Sequence, residues 1–254
     1  MNERCLRIAE NVPLTGSVWR MSLTGTDMEE QRPGQFVNIA LPGKFLRRPI
    51  SVFDQEGTTL RLIYKTVGSG TELLSTLQPG ESLNVLTGLG NGYDLSRAGE
   101  APLLLGGGVG VPPLYLLAKR LREAGKRVTA VLGFNTAEEV FAEEDFRALG
   151  CDVTVTTVDG SYGRKGFVTD ALPAEYSFFY TCGPKPMLRA VYQKTVSDGQ
   201  FSFEERMGCG FGACMGCSCR VRIPAAEGEP EKTGYKRICR EGPVLEKEEI
   251  LWDD

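Results

Sequence analysis

Pro102-Leu-Leu-Leu-Gly106-Gly107-Gly108-Val-Gly110-Val-Pro112-Pro113 marks the point where this 254-residue chain changes character. An apolar run, a glycine cluster and a proline pair, in that order, predict a buried strand, a tight turn and a helix start. Glycines let a phosphate approach the backbone, and the first N–H groups of a helix favour negative charge. The stretch stops short of G-x-G-x-x-G, because Pro113 stands where the last glycine would be. By itself it suits a tight turn in any α/β protein as well as a nucleotide site.

Downstream, strand and helix patterns alternate. Residues 101–105, 127–134, 153–158 and 177–182 are predicted strands, and 112–124, 138–149 and 186–197 predicted helices. Leu114, Leu117, Ala118 and Leu121 share one face of the first helix. Such alternation predicts a parallel, doubly wound sheet. A second turn, Thr181-Cys182-Gly183-Pro184-Lys185-Pro186, again joins a strand to a helix. Two such turns at the carboxyl ends of strands predict a ligand crevice.

Upstream the pattern is short strands, at 18–23, 35–41, 48–53 and 59–67, punctuated by Gly, Pro and Asp. Only residues 70–77 look helical, so an antiparallel barrel is predicted. Its strands carry Arg47-Arg48-Pro49-Ile50-Ser51 and Ile63-Tyr64-Lys65, the latter running on to Gly68-Ser69-Gly70-Thr71.

Near the C-terminus, Cys209, Cys214 and Cys217 follow the spacing C-x4-C-x2-C, and Cys239 lies downstream. This is the plant-type pattern for a [2Fe–2S] cluster. A zinc ribbon is the alternative, although it more often pairs two C-x-x-C knuckles. Glycines between the first three cysteines let the backbone curl, so that N–H groups can reach the sulfurs. Cys219 lies two residues after Cys217 and reads as a buried reduced thiol. A hairpin is predicted from 218–223 and 235–239, with a polar loop through Gly234. Trp252 and the acidic tail are expected to pack against the body of the chain.

Composition removes other chemistries. There is no histidine, which excludes a Ser-His-Asp triad, a His-ligated metal, a Rieske centre and a His general base. The net charge is −4 with no long basic run, which argues against nucleic acid. The charged N-terminus predicts no signal peptide and a cytoplasmic protein, in which eight cysteines point to metal rather than disulfides. Residues 101–118 are apolar, but their glycines and prolines suit a strand, loop and helix better than a membrane span.

On Arg48-Pro49-Ile50-Ser51, Gly70-Thr71, the Gly106 loop and Cys182-Gly183-Pro184, the chain resembles the ferredoxin-reductase superfamily along nearly its whole length. The resemblance implies a β plus α/β multidomain protein. Residues 1–98 would form an FAD-binding barrel, 99–200 an NAD-binding domain and 201–254 a [2Fe–2S] module. In that superfamily an Arg-x-x-Ser motif binds flavin, arginine on the pyrophosphate and serine near the reactive ring nitrogen. Arg48, Pro49, Ile50, Ser51, Gly70 and Thr71 would therefore bind FAD, with Ile63, Tyr64 and Lys65 along its adenosine side. Many relatives carry a stacked tyrosine at the third motif position, where this chain has Ile50. Gly106, Gly107, Gly108, Gly110, Cys182, Gly183 and Pro184 match the nicotinamide-nucleotide elements, with Ser51 and Cys182 at the hydride-transfer site.

Leu46-Arg-Arg-Pro-Ile-Ser, Glu205-Arg-Met-Gly-Cys-Gly and Cys239-Arg-Glu-Gly-Pro-Val narrow the likeness. The chain is similar to the electron-transfer subunits of type 1B, NAD-dependent dihydroorotate dehydrogenases. That implies a partner: an FMN-containing TIM-barrel subunit that oxidises dihydroorotate to orotate in pyrimidine biosynthesis, in a heterotetramer of two of each. Electrons would pass from FMN through the cluster and FAD to NAD⁺. A nicotinamide exchanges two electrons and the cluster one, so FAD is the needed converter. Asn135-Thr-Ala-Glu138-Glu139 offers no arginine for a 2′-phosphate, which favours NADH over NADPH. Two alternatives stay open at this stage. One is an NADH-linked FAD and iron–sulfur module of a hydrogenase, glutamate synthase or transhydrogenase. The other is a nucleotide-sensing protein with a structural zinc.

Overall fold

Strand β1 (Asn2–Pro13) alternates charged and apolar residues, and only Leu6 and Ile8 turn fully inward. That sparse burial hides the strand in the sequence, where no element was predicted before residue 18. It pairs antiparallel with β2 (Val18–Thr24) and with β6 (Ser82–Leu89). Strands β3 (Phe36–Ile39), β4 (Arg48–Glu56) and β5 (Thr59–Lys65) complete a closed barrel in the order β1-β2-β5-β4-β3-β6. Met21, Leu23, Val37, Ile39, Val52, Leu62 and Val85 fill its interior. Helix α1 (Ser69–Thr76) buries Leu74 against the same core. The coordinates are a computed structural model and describe residues 1–223 and 232–252. Most of the predicted polar loop of the C-terminal hairpin, and the last two residues, lie outside the described residues.

The second layer is a seven-stranded sheet. Its order is β10 (Arg164–Lys165), β9 (Asp152–Thr157), β8 (Thr129–Phe134), β7 (Leu103–Gly107), β11 (Phe179–Cys182), β12 (Gly199–Ser202) and β15 (Val244–Glu246). Neighbours are parallel except β15, which runs antiparallel to β12. Successive strands step one way from β7 through β8 to β10 and the other way through β11 to β12. A crevice therefore opens beyond the carboxyl ends of β7 and β11. Helices α2 (Pro112–Glu123), α3 (Glu143–Ala148) and α4 (Lys185–Lys194) cover the sheet. β12 and β15 flank the cysteine segment in sequence and pair side by side, Gln200 opposite Glu246. Between them lies the hairpin β13 (Ser218–Ile223) and β14 (Lys232–Arg237).

The helix predicted over 138–149 is divided. A single 3-10 turn covers Ala137–Glu139, Ala142 takes a left-handed φ of 61°, and only then does α3 begin. The break lets Phe141 pack edge-on against Phe134, their rings 5.3 Å apart.

Helix α2 joins the two layers. Leu114, Leu117, Ala118 and Leu121 pack into the cluster shared with the sheet, while Leu116 enters the barrel core. Trp252 packs on Tyr192 and Phe203, with ring centroids 5.7 and 5.9 Å away. Among the described residues no helix is long and apolar enough to cross a membrane.

Candidate functional site

The flavin motif opens β4. Register places Ser51 opposite Phe36 and Pro49 opposite Asn38 on β3. The Arg48 side chain lies across Gly70, where any Cβ would collide with its guanidinium. Gly70 sits in the first turn of α1, which has no side-chain cap. Thr71 Oγ1 braces the approach by accepting from Val67 N at 2.9 Å and donating to Gly68 O at 3.1 Å. A guanidinium over an uncapped helix start suits a pyrophosphate. Ile63 is buried toward the nucleotide domain. Tyr64, expected along the adenosine side, instead sends its ring into the barrel core, where its hydroxyl donates to Asn11 at 2.9 Å. Strand alternation forces this, since Tyr64 points opposite to its neighbours.

The glycine turn lies at the crevice. A cleft of about 570 Å³ is lined by Gly107, Gly108, Gly110, Gly183 and Pro184, with Asn135, Glu139, Thr156 and Phe167 further along. A Cβ at Gly110 would strike the Cys182 carbonyl, and one at Gly107 the Met187 sulfur. Gly108 has φ +52°. These glycines leave open a groove that side chains would fill, and the groove suits a dinucleotide phosphate. Two residues expected at the cleft lie beneath it. A Cβ at Gly106 would press on Val111 and Leu114, and Cys182 is 2% exposed. Burial pushes the Cys182 thiol far up, and the Glu204 charge adds to this, so it stays protonated near neutral pH.

Three cleft residues emerge only from tertiary structure or gain a new place there. Lys65, expected on the flavin side, reaches the cleft and pairs with Glu139 at 3.4 Å. Glu139 also accepts from Asn135 N at 3.2 Å and Asn135 Nδ2 at 2.7 Å. Burial works against that carboxylate, yet Asn135 and Lys65 hold it below its ordinary range. Glu204, which no motif marks, also lines the cleft.

The four cysteines fall into two pairs. Ala213 N and Cys214 N donate to Cys209 Sγ at 3.2 and 3.4 Å, while Cys209 N and Gly216 N donate to Cys214 Sγ at 3.5 and 3.4 Å. Cys239 N donates to Cys217 Sγ at 3.4 Å. Burial opposes ionisation of Cys209, but backbone donors and Cys214 outweigh it and bring the thiol down to about 6. Two cysteines to each iron is how four thiolates hold a diiron cluster, and donors aimed at sulfur tune it. The donor set therefore fits a [2Fe–2S] group. Arg237 ties the pairs together, donating from Nη1 to Gly212 O at 2.6 Å and from Nε to Glu241 at 2.9 Å. Cys219 stands apart, its thiol donating to Lys236 O at 3.6 Å and pushed up by burial to about 11.

The cysteine segment rests on the barrel. Asn38 Nδ2 donates to Cys209 O at 3.1 Å, and a Cβ at Gly210 would strike that amide.

A barrel with a flavin-type motif, a nucleotide cleft at a switch point and a cysteine quartet resting on the barrel define a class: an NAD-linked iron–sulfur oxidoreductase subunit with a ferredoxin-reductase fold. Residues 204–251 match the iron–sulfur cluster binding domain of dihydroorotate dehydrogenase B, and residues 104–193 match the oxidoreductase NAD-binding domain. The chain is 43% identical to the dihydroorotate dehydrogenase B (NAD(+)) electron transfer subunit of Geobacillus sp. (strain WCH70), covering 99% of each. It is 42% identical to the Fusobacterium nucleatum counterpart, over 93% of this chain and 94% of that one. The chain belongs to this family of dihydroorotate dehydrogenase B electron transfer subunits. A solved structure described as an NADH-dependent reduced ferredoxin-NADP oxidoreductase superposes with TM-score 0.83 and 32% identity, covering 97% of this chain and 90% of that one. A ferredoxin reductase of carbazole 1,9a-dioxygenase shares the fold, with TM-score 0.67 and 22% identity over 76% of this chain and 65% of that one.

Proposed function

We propose that this chain carries electrons between NAD(H) and an FMN-containing subunit that oxidises dihydroorotate, in a cytoplasmic assembly of two of each. When bound, FAD would convert between the two-electron nicotinamide and the one-electron cluster. Arg48, Gly70 and Thr71 hold its pyrophosphate, and Pro49, Ile50 and Ser51 run along its ring system, with Ser51 able to share a proton at its edge. Ile63 and the backbone of Tyr64 support this strand from behind. Gly107, Gly108, Gly110, Gly183 and Pro184 receive the NAD phosphates and nicotinamide, with Gly106 and Cys182 forming the floor. Cys209 and Cys214 hold one iron, and Cys217 and Cys239 the other.

One observation carries the reading. Asn38 on β3 lies opposite Pro49 of the flavin strand and bonds the Cys209 carbonyl. A single residue thus touches the flavin strand and the cluster loop. The face holding Phe211, 38% exposed, and Met215, 54% exposed, is the face that docks the catalytic subunit.

The test is a visible spectrum of anaerobically purified protein, before and after NADH. Flavin bands with broader cluster absorption, both bleached by NADH, are expected. A colourless protein carrying zinc would overturn the proposal. A second reading, an NADH-linked module of a different complex, draws on the similarity to the NADH-dependent ferredoxin-NADP oxidoreductase. Co-purification of a catalytic subunit active on dihydroorotate separates the two.

A further inference from the structure

The flavin strand and the nucleotide helix are joined by a buried charge. β4 carries Ser51, and its pairing with β5 slips between Val52 and Asp54, a bulge that inserts Phe53 as an extra residue. Bulges bend a strand and re-aim its side chains. Here both Phe53 and Asp54 meet α2. The Phe53 ring stacks on Tyr115, with centroids 4.2 Å apart and planes 18° from parallel. Asp54 Oδ1 accepts from Lys119 Nζ at 2.9 Å, and Asp54 Oδ2 accepts from Arg61 Nη1 at 2.7 Å. Asp54 is 2% exposed.

α2 begins directly after the loop that lines the cleft with Gly107, Gly108 and Gly110. The same helix that grips Asp54 therefore sets where that loop stands. Desolvation offsets much of the attraction in a buried ion pair, so its contribution here is geometric: Asp54 directs Lys119 and Arg61 through bonds of 2.9 and 2.7 Å. Arg120 and Glu30 also link α2 to the barrel, but Glu30 is 74% exposed, and such pairs contribute little.

We infer that Asp54 and Lys119 are positioning residues for hydride transfer: they fix the spacing between the flavin strand and the nicotinamide loop. The inference rests on the assignment of the two nucleotide sites made above. Small misplacements of reacting groups slow transfer without abolishing binding.

The experiment compares Lys119→Met, Lys119→Arg and Asp54→Asn in the flavin- and cluster-loaded complex. Anaerobic mixing with NADH gives the limiting rate of flavin reduction and the apparent Kd. Adding NAD⁺ to the reduced protein gives the long-wavelength charge-transfer absorption, a direct report of how the two rings stack. Lys119→Met is expected to slow limiting reduction about tenfold and to weaken the charge-transfer band, with Kd changed less than about twofold. Lys119→Arg is expected to restore most of both. A Lys119→Met protein with parental rate and band would overturn the inference, as would Lys119→Arg matching Lys119→Met in both. Asp54→Asn tests the same contact from the barrel, and a parental band there would also overturn it. Failure of NADH to reduce flavin in the parent protein would instead overturn the functional reading and this inference together.

Discussion

Gly70 shows what one missing methyl group does. Its place in the first turn of α1 is filled by the Arg48 guanidinium. In Gly70→Ala the flexible Arg48 side chain swings aside at little cost to folding, but its guanidinium leaves its place, and a hold on FAD weaker by about tenfold, about 1.4 kcal/mol, is expected. Fluorescence titration of the deflavinated protein measures it, and unchanged affinity would remove Arg48 from the pyrophosphate site. Residue types at the site were legible where chemistry restricts them. Cysteine spacing exposes a metal set because thiolates at such intervals have few other uses. Spacing does not reveal that Cys209 and Cys214 exchange backbone donors while Cys239 N donates to Cys217 Sγ, a contact made by the turn after β14. Nor does it reveal Lys65 meeting Glu139, or Glu204 at the cleft, since those depend on the approach of separate elements. Tyr64 and Cys182 are the converse. Both lie in matching motifs, and both side chains are buried where strand alternation sends them.

At the scale of elements, the α/β half was the more legible. Its central strands β7, β8 and β11 are largely buried and rich in apolar residues, and α2 shows a clean stripe, whereas the exposed pair Arg164–Lys165 of β10 and the short β12 and β15 gave no such signal. The barrel's first strand was missed because only two of its twelve side chains are fully buried. The helix at 138–149 was overextended because its Glu and Ala residues favour helix locally, while the packing of Phe141 breaks it. β3 supports the cysteine segment through Asn38, which is 1% exposed. Asn38→Ala removes that donor and should cost about 1 kcal/mol, since the Cys209 carbonyl can turn partly to water. The expected outcome is faster bleaching of the cluster's visible absorption in air, with flavin content unchanged. Equal bleaching rates would mean the segment is held by its own turns and by Arg237 alone.

At the scale of the whole molecule, the barrel meets both the cleft, through Lys65, and the cysteine loop, through Asn38. The cleft opens beyond β7 and β11, β4 meets α2 where Asp54 accepts from Lys119, and the cysteine loop rests on β3 where Asn38 donates to Cys209 O. None of the four cluster cysteines lines the cleft. On the proposed function, reduction of flavin by NADH and onward delivery of electrons would then be separable steps. Cys214→Ser removes the sulfur that accepts from Cys209 N and Gly216 N. The flavin strand and the cleft are left intact. In that variant NADH should still bleach the flavin bands at no less than about half the parental rate, because the groups that touch the nicotinamide are unchanged. Reduction of the FMN proposed for the catalytic subunit, followed after mixing the complex with NADH, should be lost. The order is decided by which signal disappears. If a folded, FAD-replete Cys214→Ser protein no longer accepts electrons from NADH, the cluster stands between nicotinamide and flavin. The arrangement along β3 and β4 argues for the opposite order, with the cluster as the exit toward the partner.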